Sequence, residues 1–473
     1  MKNIFKLLVV LATVASLTAC SKEFINKDKP LSMTEPIIFA DADYIQSALL
    51  GCYDIFKSSN PTFMGGLGVV VFDSRGDDIV NVSNPVTMSD TYEMLVLGAT
   101  QENGRIWDYA YATINTCNIF IENMEKYECK EVVGEKLYNQ YVAEAKFLRA
   151  YSYYVLANLY SEPYSRNPEA TAVPLRITAL TSAGNNDCPA SPIKDIYDQI
   201  LKDCIPGDLA NAPGTYDGVT RASKAAANLL RMRVYMAEQD WDKAITEGNA
   251  ITGYSLVSDV TKLYGTDTHD NTEMIFALPN STQDKPNTQM SCAEYFSPSA
   301  TCAWIDTEAG IVSDPLYSQA TDQRISKLIS EEDNNGHVYS KKYMDYGGHL
   351  DWLPLMRYAE VKLNLAECYA NKADGATQAK SNLSDVRRRS IAASEDGLDI
   401  NNLTGGAIKT AVYNERRLEF ICEGIRGIDI IRRGESFVKK NSFVDVSVDP
   451  GTSNYTWPIP DTEKKFNKAL KNQ

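Results

Sequence analysis

Residues 221–251 read RASKAAANLLRMRVYMAEQDWDKAITEGNAI. Apolar side chains recur there every three or four positions, which predicts one helix over 224–238 and a second over 240–251. Only Gln239 separates them, so the two form a short-looped pair. The same period extends in both directions. Upstream it marks helices over 105–124 and 135–160, the second with Ala145, Leu148, Tyr151, Val155 and Leu159 on one face. Ser191 and Pro192 supply an N-cap and a first-turn proline for a helix whose stripe is Ile193, Ile196, Ile200, Leu201 and Cys204, stopped by Pro206. Downstream, 354–371 and 377–389 form a second pair joined through Gly375, and 408–431 is the last long helical region.

The spacing from Tyr235 to Ala244 is that of a tetratricopeptide unit, although Met232 stands where such a unit has a small residue. The pairs are unevenly spaced, so a regular solenoid is excluded. Between them lie 55–104, 161–190, 252–350 and 434–460, rich in Gly, Asn, Ser, Asp and Pro, with β-like runs at 67–72 and 274–278. The expected fold is mostly α: tetratricopeptide-like helix pairs form a scaffold carrying long irregular loops and a few short strands. Long loops on a rigid frame are a common way to position a binding surface.

The N-terminus, MKNIFKLLVVLATVASLTAC, has Lys2 and Lys6 before a largely apolar run from Leu7 to Leu17. That run is shorter than the roughly 20 apolar residues a membrane-spanning helix takes, so it reads as an export signal. Leu17-Thr18-Ala19-Cys20 resembles a bacterial lipobox. The expected division is a signal peptide over 1–19, a lipidated tether over 20–36, and one domain over 37–473. Acyl chains on Cys20 would then be the sole membrane attachment. An odd number of cysteines remains, with no C-x-x-C, and they read as core thiols; Cys292 and Cys302 are the most plausible loop pair. With 62 acidic against 47 basic residues and a net charge of −15, nucleic acid is not the expected partner. The three histidines, His269, His337 and His349, share no metal-binding spacing, so neither metal nor cofactor is expected.

Trp107-Asp108-Tyr109-Ala110-Tyr111 with Ile114-Asn115 and Cys117-Asn118, Glu144-Ala145-Lys146-Phe147-Leu148-Arg149-Ala150-Tyr151, and Arg221-Ala222-Ser223-Lys224 stand in a suggestive order. They are followed by Arg357-Tyr358-Ala359-Glu360-Val361, Asn414-Glu415-Arg416-Arg417, Glu423-Gly424-Ile425-Arg426 with Asp429, and Trp457-Pro458-Ile459-Pro460. Together these resemble the SusD/RagB family of nutrient-binding outer-membrane lipoproteins from Bacteroidetes, over nearly the whole mature chain. Arg433 departs from the family pattern, which commonly has an aromatic before the glycine aligned with Gly434, and Ser161-Glu162-Pro163 replaces a glycine-containing turn. The resemblance implies a SusD-like domain with an N-terminal part over about 37–250 and a C-terminal part over about 260–473. It also implies a surface-exposed, lipid-anchored outer-membrane protein partnered with a SusC-like TonB-dependent transporter.

Glu415, Arg416, Glu423, Arg426 and Asp429 could pass for an acid–base constellation. Arginines beside carboxylates lower their pKa, the opposite of what a general acid needs. They read instead as a structural ion-pair network, with Arg416–Glu419, Glu423–Arg426 and Arg426–Asp429 at i, i+3 spacing. No nucleophile elbow or phosphate loop appears in a fitting context. Gly65-Gly66-Leu67-Gly68 is followed by an apolar run with no helix or lysine expected after it. The expectation is a protein that is not an enzyme; a lipid-anchored glycoside hydrolase using Asp77 and Asp306 is the rival. Sugar binding needs aromatic faces and planar polar groups. Trp107, Trp241, Trp352 and Trp457 have structural assignments, which leaves Trp304 with Tyr295, Phe296, Asp306 and Tyr317, and Asn81, Asp90 and Tyr92 in the other long loop. The resemblance places the ligand face in these two regions. Interval 58–104 has only Arg75 as a basic residue and 264–320 only Lys285, each among many carboxylates, so the expected ligand is a neutral oligosaccharide. A peptide is the alternative.

Overall fold

The computed structural model describes residues 34–58, 63–82, 88–182, 184, 186–287, 290–300 and 302–471. Cys20, the expected signal peptide and most of the tether lie outside them. In the helix pair, Ser223 caps Lys224–Ala237 by accepting from the Ala226 amide, and Asp240 caps Trp241–Asn249 by accepting from Lys243 N–H. The chain reverses at Gln239, which takes φ of +60°. Met232 is fully buried, and Gly248 on the partner helix makes room for it: a Cβ there would lie 2.9 Å from both Met232 Cε and Leu365 Cδ2. The small residue of the unit has in effect moved to the facing helix.

Gln101–Lys126 and Glu135–Tyr160 pack side by side in the N-terminal half. From Ala143 onward Glu135–Tyr160 is buried nearly all round, as befits a helix at the centre of its layer. Its polar residues there are paired: Glu144 receives Arg221 and Tyr53, and Arg149 forms a two-pronged bond to Asp203. One apolar cluster runs from Phe39 to Leu470, drawing on both halves of the chain. Strands occur as four two-stranded antiparallel sheets among the described residues, and no sheet closes.

Several boundaries differ from expectation for physical reasons. The run at 67–72 is not a strand but the start of helix Leu67–Arg75, every residue of which is buried; an apolar run with no polar face has no readable period. Met274–Leu278 is a strand as expected, and its partner is Leu353–Arg357, where the sequence period predicts the first turn of a helix. The helix itself is Tyr358–Ala370, paired with Ala376–Ser390. Ala190–Pro192 pairs with Thr171–Pro174, so Ser191 is not an N-cap and the helix runs Ile193–Asp203. The last helical region divides into Gly406–Glu419 and Arg426–Arg433, broken where Cys422 and Gly424 take positive φ. None of the nine cysteines from Cys52 to Cys422 is in a disulfide, Cys292 and Cys302 included. Among the described residues no helix is long and apolar enough to cross a membrane.

Candidate functional site

The two long loops meet in a short antiparallel pairing, Ile79 opposite Ile305 and Val80 opposite Trp304. A hairpin of Phe437–Lys440 and Asp445–Val448 closes over it from the C-terminal region. Its turn carries Asn441, whose side-chain amide donates to Asp306 at 2.6 Å and to the Tyr92 hydroxyl at 3.0 Å. Ser442 donates through backbone N–H and hydroxyl to Glu308. The hairpin turn is thereby fixed against the 300s loop. Beside these bonds lies an aromatic group: the His337 ring stacks on Trp304 at 3.9 Å and 9°, and Phe443 meets Trp304 edge-on at 5.2 Å and 72°. Phe443 is 45% exposed, Trp304 only 8%.

The sequence candidates divide sharply. Tyr295, Phe296 and Tyr317 are core side chains, because the loop folds back into short helices and turns that use its aromatics for packing. They are not a ligand-facing surface. Asn81 is fully buried, donating to Ser74 Oγ; Tyr92 is fully buried, and burial pushes its hydroxyl up to about 12. Asp306 is buried, its carboxylate accepting from the Glu308 and Ala309 amides and from Asn441. Asp90 is exposed and receives the Thr100 hydroxyl at 3.4 Å. Tyr92, Trp304 and Asp306 are brought together under the hairpin. The residues that sequence reasoning missed are Phe443, His337 and Asn441. The available signal was a phenylalanine inside the polar turn Asn441-Ser442-Phe443, in an interval read only as irregular.

Glu415, Arg416, Glu423, Arg426 and Asp429 lie in a buried network, but their hydrogen-bonded partners are mostly not i, i+3 neighbours. Arg416 forks onto Asp429, Glu415 receives Arg324 and Arg387, and Glu423 receives Arg357 and Lys342. Arg426 reaches back to Asp77, and Arg417 to Asp78. Glu419 is shared by Arg357, Arg389 and Arg324. The strict i, i+3 bond is Arg432 to Asp429. Desolvation opposes ionisation of these carboxyls, yet the guanidinium groups around them win, holding Glu419, Glu423 and Asp429 below their ordinary values. Asp77 is likewise held at about 2 by Arg426 and Arg417 against its burial.

That network corrects the charge reading. Asp77 and Asp78 are neutralised by internal arginines, Asp73 is buried and accepts from Gly424 N–H, and Glu273 is paired with Arg357 and Arg389. Arg75 is itself buried, under the Phe437 ring. Carboxylates left at the surface by the aromatic group include Glu308 and Asp333. The glycine-rich segment 65–68 does precede a helix, contrary to expectation, but it is a packing device: a Cβ on Gly68 would lie 2.5 Å from Met64 Sδ.

A sequence profile described as "SusD family" matches residues 232–473, and one described as "Starch-binding associating with outer membrane" matches residues 45–236. SusD-like protein P25 of Formosa agariphila is 23% identical over 91% of this chain and 90% of its own length. A crystal structure of a SusD superfamily protein from Bacteroides fragilis is 48% identical, covers 92% of this chain and 100% of its own, and superposes with a TM-score of 0.88. Surface glycan-binding protein A from Bacteroides fluxus shares the fold at 21% identity, with a TM-score of 0.71 over 90% of this chain and 97% of its own. With one profile spanning the C-terminal half and a fully covered relative at this identity, the chain belongs to the SusD family.

Proposed function

We propose that this chain captures a neutral oligosaccharide at the face carrying Phe443 and Trp304 and passes it to a SusC-like TonB-dependent transporter. On this reading residues 37–473 act as one binding unit, held at the outer surface of the outer membrane by acyl chains on Cys20. The observation that carries it is Phe443: a half-exposed ring set edge-on to Trp304, with the Glu308 carboxylate and the His337 imidazole beside it. Such a ring offers a flat apolar face to the C–H side of a sugar, and the polar groups offer partners for its hydroxyls. The description of the profile matched by residues 45–236 and the name of the Bacteroides fluxus protein both point to glycans. Surface Glu308 and Asp333 favour a neutral ligand over a sulfated or uronic one.

Capture without catalysis fits the carboxylates. Asp77 stays ionised beside two arginines, which disqualifies it as a general acid, and Asp306 is occupied by three hydrogen bonds. Calorimetry against neutral oligosaccharides, polyanionic glycans and short peptides tests the reading. Heat from neutral glycans alone supports it; binding of peptides with silence from every glycan would overturn it.

A further inference from the structure

A second cavity lies elsewhere, sharing no residue with the Phe443 face. It has a volume of about 370 Å³ and is bounded by helix Gln101–Lys126, by Arg176, Leu180, Gly184 and Asn186, and by the C-terminal helix Asp461–Phe466. That size falls within the range of about 300–1,000 Å³ usual for small-molecule sites. Its loop wall is braced by three asparagines. Asn115 accepts from Leu180 N–H at 2.7 Å and donates to the Leu180 carbonyl at 3.1 Å. Asn467 does the same to Cys188, at 3.0 and 2.8 Å, and Asn118 donates to the Arg176 and Thr178 carbonyls. These bonds fix the wall at Arg176, Thr178, Leu180 and Cys188.

Its functional groups have a definite character. Arg176 and Glu463 stand 3.5 Å apart, 14% and 22% exposed. Arg176 also donates to the Asn186 carbonyl, and Glu463 also accepts from Asn467 and the Trp107 indole, so what they present to the cavity is the remaining guanidinium N–H groups and carboxylate lone pairs. Phe466 lines the same cavity and is 75% exposed, the highest value of any large apolar side chain among the described residues. A neighbouring guanidinium and carboxylate match vicinal hydroxyls, and a bare ring matches the apolar face of a sugar. The opposite charges balance, so no ionic ligand is favoured. An extended peptide is disfavoured, because strand addition needs free backbone groups and the asparagines already occupy those of Leu180 and Cys188. We propose that this cavity binds a neutral saccharide unit, giving the chain a second glycan site.

The test is saturation-transfer NMR on the full chain with glucose, galactose, mannose, maltose and cellobiose, comparing Phe466→Ala with Phe443→Ala. Phe466 is too exposed for its loss to disturb folding, and an unchanged thermal midpoint verifies that. The expected result is at least one saccharide whose affinity falls about tenfold or more in Phe466→Ala and holds in Phe443→Ala. A panel with no member whose binding depends on Phe466, including a panel with no binder, overturns the second site. Failure of the Phe443 reading is separate: it shows as a panel in which no saccharide loses affinity in Phe443→Ala.

Discussion

Arg357 sits at the end of its strand with three carboxylates around it, Glu273, Glu419 and Glu423, and is 2% exposed. Replacing it by methionine leaves those buried charges underpaired, so Arg357→Met is expected to cost about 3–5 kcal/mol in urea unfolding. Lysine cannot reproduce the forked geometry and should rescue little. Because Glu419 and Glu423 have depressed folded pKa values, their stabilisation is present above the unfolded carboxylate range and is lost as pH falls below that range and through their lower folded values. Glu238 behaves in reverse: half-buried beside Lys243, with Asp198 and Asp240 close by, it is raised to about 7, chiefly by desolvation. It therefore favours the folded state less as pH rises from about 4.5 towards 7. Glu238→Gln should gain about 1 kcal/mol over the parent at pH 8, a figure discounted for solvent screening, and almost nothing at pH 4. Equal effects at both pH values would refute this. At this scale the sequence was half legible. The charged residues near 415–429 announced a network, but spacing along one helix could not reveal partners such as Asp77, brought in from far along the chain.

Two helices in the core touch through glycine. A Cβ on Gly424 would lie 2.9 Å from Val69 Cα, and one on Gly427 would lie 2.3 Å from the Phe72 carbonyl oxygen, so Arg426–Arg433 lies directly against the backbone of Leu67–Arg75. Gly427→Ala must push the two apart and is expected to lower stability by about 1–3 kcal/mol, read as a shifted urea midpoint with unchanged slope. Ile193–Asp203 was readable because its apolar side chains keep to one face, and Glu135–Tyr160, though buried nearly all round from Ala143, because its length exceeds that of a strand. Leu67–Arg75 and Leu353–Arg357 were not, since both are buried on every side and periodicity cannot tell such a helix from such a strand. The break between Glu419 and Arg426 was also hidden, because a continuous apolar period spans it while the backbone reverses at Cys422 and Gly424.

At the scale of the molecule, one core draws on both halves, and the loops expected to form a ligand face do converge, at Val80 and Trp304. What the sequence could not show is the third contributor, the hairpin that brings Phe443 to Trp304 from more than a hundred residues away. Tyr295, Phe296, Tyr317 and Tyr92 pack in the interior and Asp77 and Asp78 pair with internal arginines, since a loop this long must bury its own apolar side chains. The most direct measurement is calorimetric titration of Phe443→Ala with the neutral oligosaccharide that the parent chain binds best. The account predicts at least about a tenfold loss of affinity with the thermal midpoint unchanged. Affinity equal to the parent's would contradict it.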